Sequence, residues 1–134
     1  MIQRIQSLCL LLTALVAAPF FNGGYFTFLS SSNTVMKWTI GVLAVIIPIL
    51  SMISIFLFSK RKIQLTLTKT LIALIVIFIG ATGYHSFCLI SEYNVSFGMW
   101  AKTVIPLVQL LLSVLAYLGI KRDDDLVKSY DRLR

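Results

Sequence analysis

Charge is what this chain has least of. Only 13% of its 134 residues are Asp, Glu, Lys or Arg, while 58% are hydrophobic, and its mean hydropathy is +0.92. An ordinary soluble domain is roughly a quarter charged, so there is too little charge here to coat a water-facing surface. That excludes a soluble monomer and a disordered tail. It also excludes a nucleic-acid module, despite a net charge of +7, because the cations sit in short clusters between apolar runs. The expected surroundings are a lipid bilayer.

Histidine and cysteine are nearly as scarce. His85 is the single histidine, too few for two axial imidazoles on a haem or for the clustered ligands of zinc. Cys9 and Cys88, the two cysteines, fall near opposite ends of the expected spans, beyond disulfide reach, and read as small apolar fillers. No metal or cofactor is expected. No carboxylate or lysine lies deep in an apolar run, where ion-coupled pumps keep their costly ionisable groups. Paired acids, a Ser–His–Asp set and a phosphate-binding glycine loop are all missing, so hydrolysis and phosphoryl transfer lack their parts. The expectation is a protein that is not an enzyme.

What is present is four long uncharged runs, residues 5–36, 38–59, 70–91 and 103–120. A helix needs about 20 mostly apolar residues to cross the hydrocarbon core, so each run holds one span. The first contains Asn22-Gly23-Gly24, a strong breaker. The expected spans are residues 4–22, 38–59, 68–91 and 100–120. Val16-Ala17-Ala18 after Arg4 and an apolar stretch suggests a signal peptide, but Pro19 directly after the candidate site argues against cleavage, and the first segment is expected to be retained.

Cations set the orientation. Arg4, the Lys60–Lys62 cluster with Lys69, and Lys121, Arg122, Lys128, Arg132 and Arg134 fall on one side; only Lys37 and Lys102 fall on the other. That bias places both termini and the 59–69 loop in the cytoplasm, as an even number of spans requires. The expected fold is an all-α, up-down bundle of four transmembrane helices over residues 1–120, with a cytoplasmic tail at 121–134. Eleven of the sixteen aromatics crowd the opposite face. They read as an anchoring belt, or as an outer cap in which residues 25–29 and 93–97 pair as two short strands.

Three segments also carry a resemblance: Met1-Ile2-Gln3-Arg4-Ile5-Gln6, Lys60-Arg61-Lys62-Ile63-Gln64-Leu65, and Asp125-Leu126-Val127-Lys128-Ser129-Tyr130-Asp131-Arg132-Leu133-Arg134. Through them the full chain resembles a family of small four-span membrane proteins of the Bacteroidetes, domain of unknown function 4293. The resemblance implies the inner membrane of a Gram-negative cell. It brings no activity, substrate or functional residue.

In lipid, helices associate through small residues and polar groups. Thr13, Ala14, Ala17 and Ala18 serve the first helix, Gly41, Ala44, Ser51 and Ser54 the second, and Gly80, Ala81 and Gly83 the third. Gln109 and Ser113 lie one turn apart on the fourth. Gln109 is the one amide well inside a span and is expected to face the bundle, bonding a Ser, a Thr or a freed carbonyl. Pro48 frees the Ala44 carbonyl and Pro106 that of Lys102; Ser51 could compensate the first.

The tail reads as a short amphipathic helix, with Leu126, Val127, Tyr130 and Leu133 on one face and an Asp124–Lys128 pair. Lys60, Arg61, Lys62, Leu126, Tyr130 and Leu133 are candidate partner-docking residues. The leading functional expectation is an accessory or scaffold subunit of an inner-membrane assembly, with a membrane or cytoplasmic protein partner. The runner-up is a small permeation unit, acting as a homo-oligomer, with Gln109, Ser113 and His85 lining a path.

Overall fold

A computed structural model describes residues 2–18, 34–90 and 97–132, with side chains at 5–18, 34–58, 60–87 and 104–129. The described residues are helical, without strands. The helices are α1 (Ile2–Leu15), α2 (Thr34–Phe56), α3 (Arg61–Ile90) and α4 (Phe97–Arg132). Both segments expected to pair as an outer cap lie outside the described residues, except Phe97, which opens α4.

Leu-, Ile- and Val-rich runs form helices in lipid because only internal hydrogen bonding satisfies their backbones. Three of the four are long and apolar enough to cross a membrane: Thr34–Phe56, Arg61–Phe87 and Val104–Ser129. The first is not. With 14 residues, α1 extends about 21 Å, against a hydrocarbon core of about 30 Å. The expected helix over 4–22 is interrupted after Leu15 by a turn at Val16–Ala17; Ala18 is helical, and residues 19–22 lie outside the described residues.

The starts of α2, α3 and α4 and the end of α4 move outward. After α2, a 3-10 turn at Leu57–Ser59 ends on Lys60, whose N–H bonds the Leu57 carbonyl. The Lys60 carbonyl then accepts from Ile63 and Gln64, both at 3.0 Å, and α3 begins at once. The expected 59–69 loop is therefore replaced by a tight hairpin at Lys60, and Arg61, Lys62 and Lys69 are helical. Likewise α4 runs unbroken through Ile120 into the expected tail. No glycine or proline lies between Ile120 and Arg132, and the Asp124–Lys128 ion pair supports the extension. With 36 residues, α4 is about 54 Å long.

Each helix packs against two others: α1 lies against α2 and α4, and α3 against the same two. The largest apolar cluster joins Ile40, Leu43, Ala44 and Ile47 of α2 to Leu71, Ile75 and Phe78 of α3. A smaller one joins Cys9 and Leu10 of α1 to Ala116 of α4. Most buried hydroxyls bond their own helix. Thr13 donates to the Cys9 carbonyl, Thr68 to Gln64, Thr82 to Phe78 and Ser113 to Gln109, at 2.7–2.9 Å. Such back-bonding satisfies a hydroxyl without joining helices. Ser54 and Thr68 do connect α2 to α3, with their oxygens 3.4 Å apart.

Ser51 is buried and donates to the Pro48 carbonyl at 2.9 Å, not to that of Ala44. A serine hydroxyl reaches only three or four residues back along its helix, so the carbonyl freed by Pro48 lies too far away. Gly80 and Gly83, expected to permit close approach, have nothing within 4 Å of where a Cβ would stand. Close approach occurs instead at Gly119, where a Cβ would lie 2.7 Å from Gln6 Cγ.

Candidate functional site: two polar centres between helices

The first centre is mid-molecule. Gln109 is 1% exposed. Its Nε2 donates to the Thr13 carbonyl at 3.2 Å, joining α4 to α1. Its Oε1 has no hydrogen-bond partner among the described residues. The space beside it, lined by Ala17, Ala44, Ile47, Phe78 and Gln109, is too small to hold a water molecule. Ser113 stands one turn away and is fully buried. His85, on α3, is buried as well, but it does not line that space.

The second centre is at the basic end, where α1 begins, α2 turns into α3, and α4 leaves its apolar run. Here Gln6, Ser7, Phe58, Arg61, Gln64, Ile120 and Asp123 line a cavity of about 310 Å³. Gln6 Nε2 donates to Asp123 Oδ2 at 2.8 Å, and Arg61 Nη1 donates to the Asp123 main-chain carbonyl at 3.3 Å. Asp123 thus ties α1 and α3 to α4. Gly119, one turn earlier on α4, leaves room for the Gln6 stem.

Of the expected docking residues, Lys60 and Lys62 are exposed and Leu126 is 46% exposed. Arg61 is half-buried and engaged with α4. The Tyr130 side chain and Leu133 lie outside the described residues. Sequence reasoning missed Gln6, Gln64, Gly119 and Asp123 as a group. Two buried-side glutamines at helix ends and an acid just past an apolar run were the available signals, but only folding brings them together. Lys69, within the apolar length of α3, lies with its Nζ 6.0 Å from the centroid of the Tyr117 ring on α4, where the ring face favours a cation. Among the described residues no group of three His, Cys, Asp or Glu side chains stands close enough to hold a metal ion.

These features define a small all-helical protein with helices suited to a membrane. The family model described as Domain of unknown function (DUF4293) matches residues 2–133, and the chain belongs to that family. Neither a curated protein nor a solved structure matches it.

Proposed function

We propose that the protein is a multi-pass, non-catalytic scaffold or accessory subunit of an inner-membrane assembly. In this account the four helices form an up-down bundle, the 4–22 segment supplies the first crossing, and both termini face the cytoplasm. The extension of α4 past its apolar run carries the proposal. From Ile120 to Arg132 it reaches about 18 Å further, with Leu126 and Val127 exposed at the end of the molecule that also carries exposed Lys60 and Lys62. A helix with apolar residues outward among charged ones suits docking of a protein partner.

Permeation receives less support. A path through Gln109 and Ser113 needs water or substrate beside the amide. The space there admits neither, and Gln109 is already bonded across to α1.

The test is affinity purification in mild detergent of the wild type beside the double variant Leu126→Glu, Val127→Glu. Cutting the chain after Arg122 would remove Asp123 and its bonds to Gln6 and Arg61, so the double substitution is the cleaner probe. The expected result is a partner recovered in fixed ratio with the wild type and lost with the variant, at unchanged elution volume in size-exclusion chromatography. Equal recovery with both proteins, or no fixed-ratio partner with the wild type, contradicts the proposal.

A further inference from the structure

The cavity at the basic end holds a cation and an anion that do not neutralise each other. Arg61 bonds the Asp123 main-chain carbonyl, while the Asp123 carboxylate takes the Gln6 amide. Among the described residues the one ion pair is Lys128–Asp124. Arg61 and Asp123 therefore present opposite charges to one space of about 310 Å³, a volume at the lower end of small-molecule sites.

A third group faces the same space. Gln64 is 5% exposed and lines the cavity. Its amide carries both a donor and an acceptor for a hydrogen-bonding occupant. The cavity also adjoins the first turn of α3, which contains no acidic residue, and the helix dipole favours an anion there.

A purely anionic ligand would meet the Asp123 carboxylate, and a purely cationic one would meet Arg61, Lys60 and Lys62. A zwitterion satisfies both. We propose that this cavity binds the phosphoethanolamine headgroup of a membrane phospholipid. Arg61 and the start of α3 receive the phosphate, Asp123 accepts from the primary ammonium, and Gln64 bonds a phosphate oxygen. Phe58 and Ile120, which also line the cavity, give the adjoining glycerol and acyl carbons an apolar wall. The site requires the protein to be in a membrane but does not depend on partner docking by α4.

The test is native mass spectrometry of the full chain released from detergent with defined lipids. Phosphatidylethanolamine is expected to be retained about tenfold over phosphatidylglycerol, the equivalent of one charge-assisted hydrogen bond. Phosphatidylcholine, whose quaternary ammonium has no N–H to donate, is expected to behave like phosphatidylglycerol. Asp123→Asn keeps an acceptor for Gln6 and should abolish the preference. Gln64→Leu should weaken retention severalfold at an unchanged melting temperature. Equal retention of the three lipids by the wild type, or an undiminished preference in both variants, overturns the proposal. Binding of soluble glycerophosphoethanolamine as tightly as the lipid overturns the membrane as its source.

Discussion

Gln109 reaches across to the Thr13 carbonyl at 3.2 Å, and the end of α1 makes that carbonyl available. Val16 N–H still bonds the Leu12 carbonyl four residues back, but Ala17 N–H bonds the Ala14 carbonyl at 3.2 Å. The last turn tightens, the Thr13 carbonyl loses its helical donor, and Gln109 of α4 replaces it. The amide is thus a tie between helices, filling a need created by the early end of α1.

If packing is its role, Gln109→Leu should leave stability within about 1 kcal/mol of wild type. One hydrogen bond is lost, but a buried oxygen without a partner is removed as well. Gln109→Ala should cost about 2–4 kcal/mol, because a cavity is added to the lost bond. Equilibrium unfolding in bicelles by steric trapping distinguishes them.

Gly119→Ala should destabilise by about 1–3 kcal/mol, the usual range for an overpacked contact. The new Cβ would stand 2.7 Å from Gln6 Cγ and push Gln6 off Asp123. Gly80→Ala and Gly83→Ala meet no neighbour and should be neutral or gain up to about 1 kcal/mol of helix propensity. Thermal melts of the three variants in one detergent give the order directly.

Replacing Tyr117 by Leu should cost about 0.5–1 kcal/mol through loss of the ring under the Lys69 ammonium. Tyr117→Phe keeps the ring face and should match wild type. Lys69→Met combined with Tyr117→Leu should cost no more than Tyr117→Leu alone. A double-mutant cycle in unfolding free energy measures this coupling.

Phe78 is the largest fully buried side chain among the described residues and lies between α2 and α3, and Phe78→Ala should cost about 3–5 kcal/mol. The same change at exposed Phe56 should cost far less in detergent. Comparing the two melting temperatures checks that the core lies where α2 meets α3.

Hydropathy alone located α2 well, because its apolar run and its helix nearly coincide: 38–59 was expected and Thr34–Phe56 is followed directly by the turn at Leu57–Ser59. It failed at α3 and α4, where the helix outlasts the apolar run. Arg61, Lys62 and Gln64 end a hydrophobic window without ending a helix, since none of them breaks backbone hydrogen bonding. The basic-end cavity was illegible for another reason. Gln6 and Asp123 are 117 residues apart in the chain, and Gly119 has meaning only through the Gln6 side chain that passes over it. Small residues were sought at Gly80 and Gly83, but smallness shows only that approach is permitted, not that a neighbour is there.

The central claim is that the chain crosses the bilayer four times, with its two ends together on the cation-rich face. Paired reporter fusions, one active only in the cytoplasm and one only outside it, test this at Ser31 and at Arg134. The expected result is an external signal at Ser31 and a cytoplasmic signal at Arg134. Signals from the same compartment at both positions would contradict it.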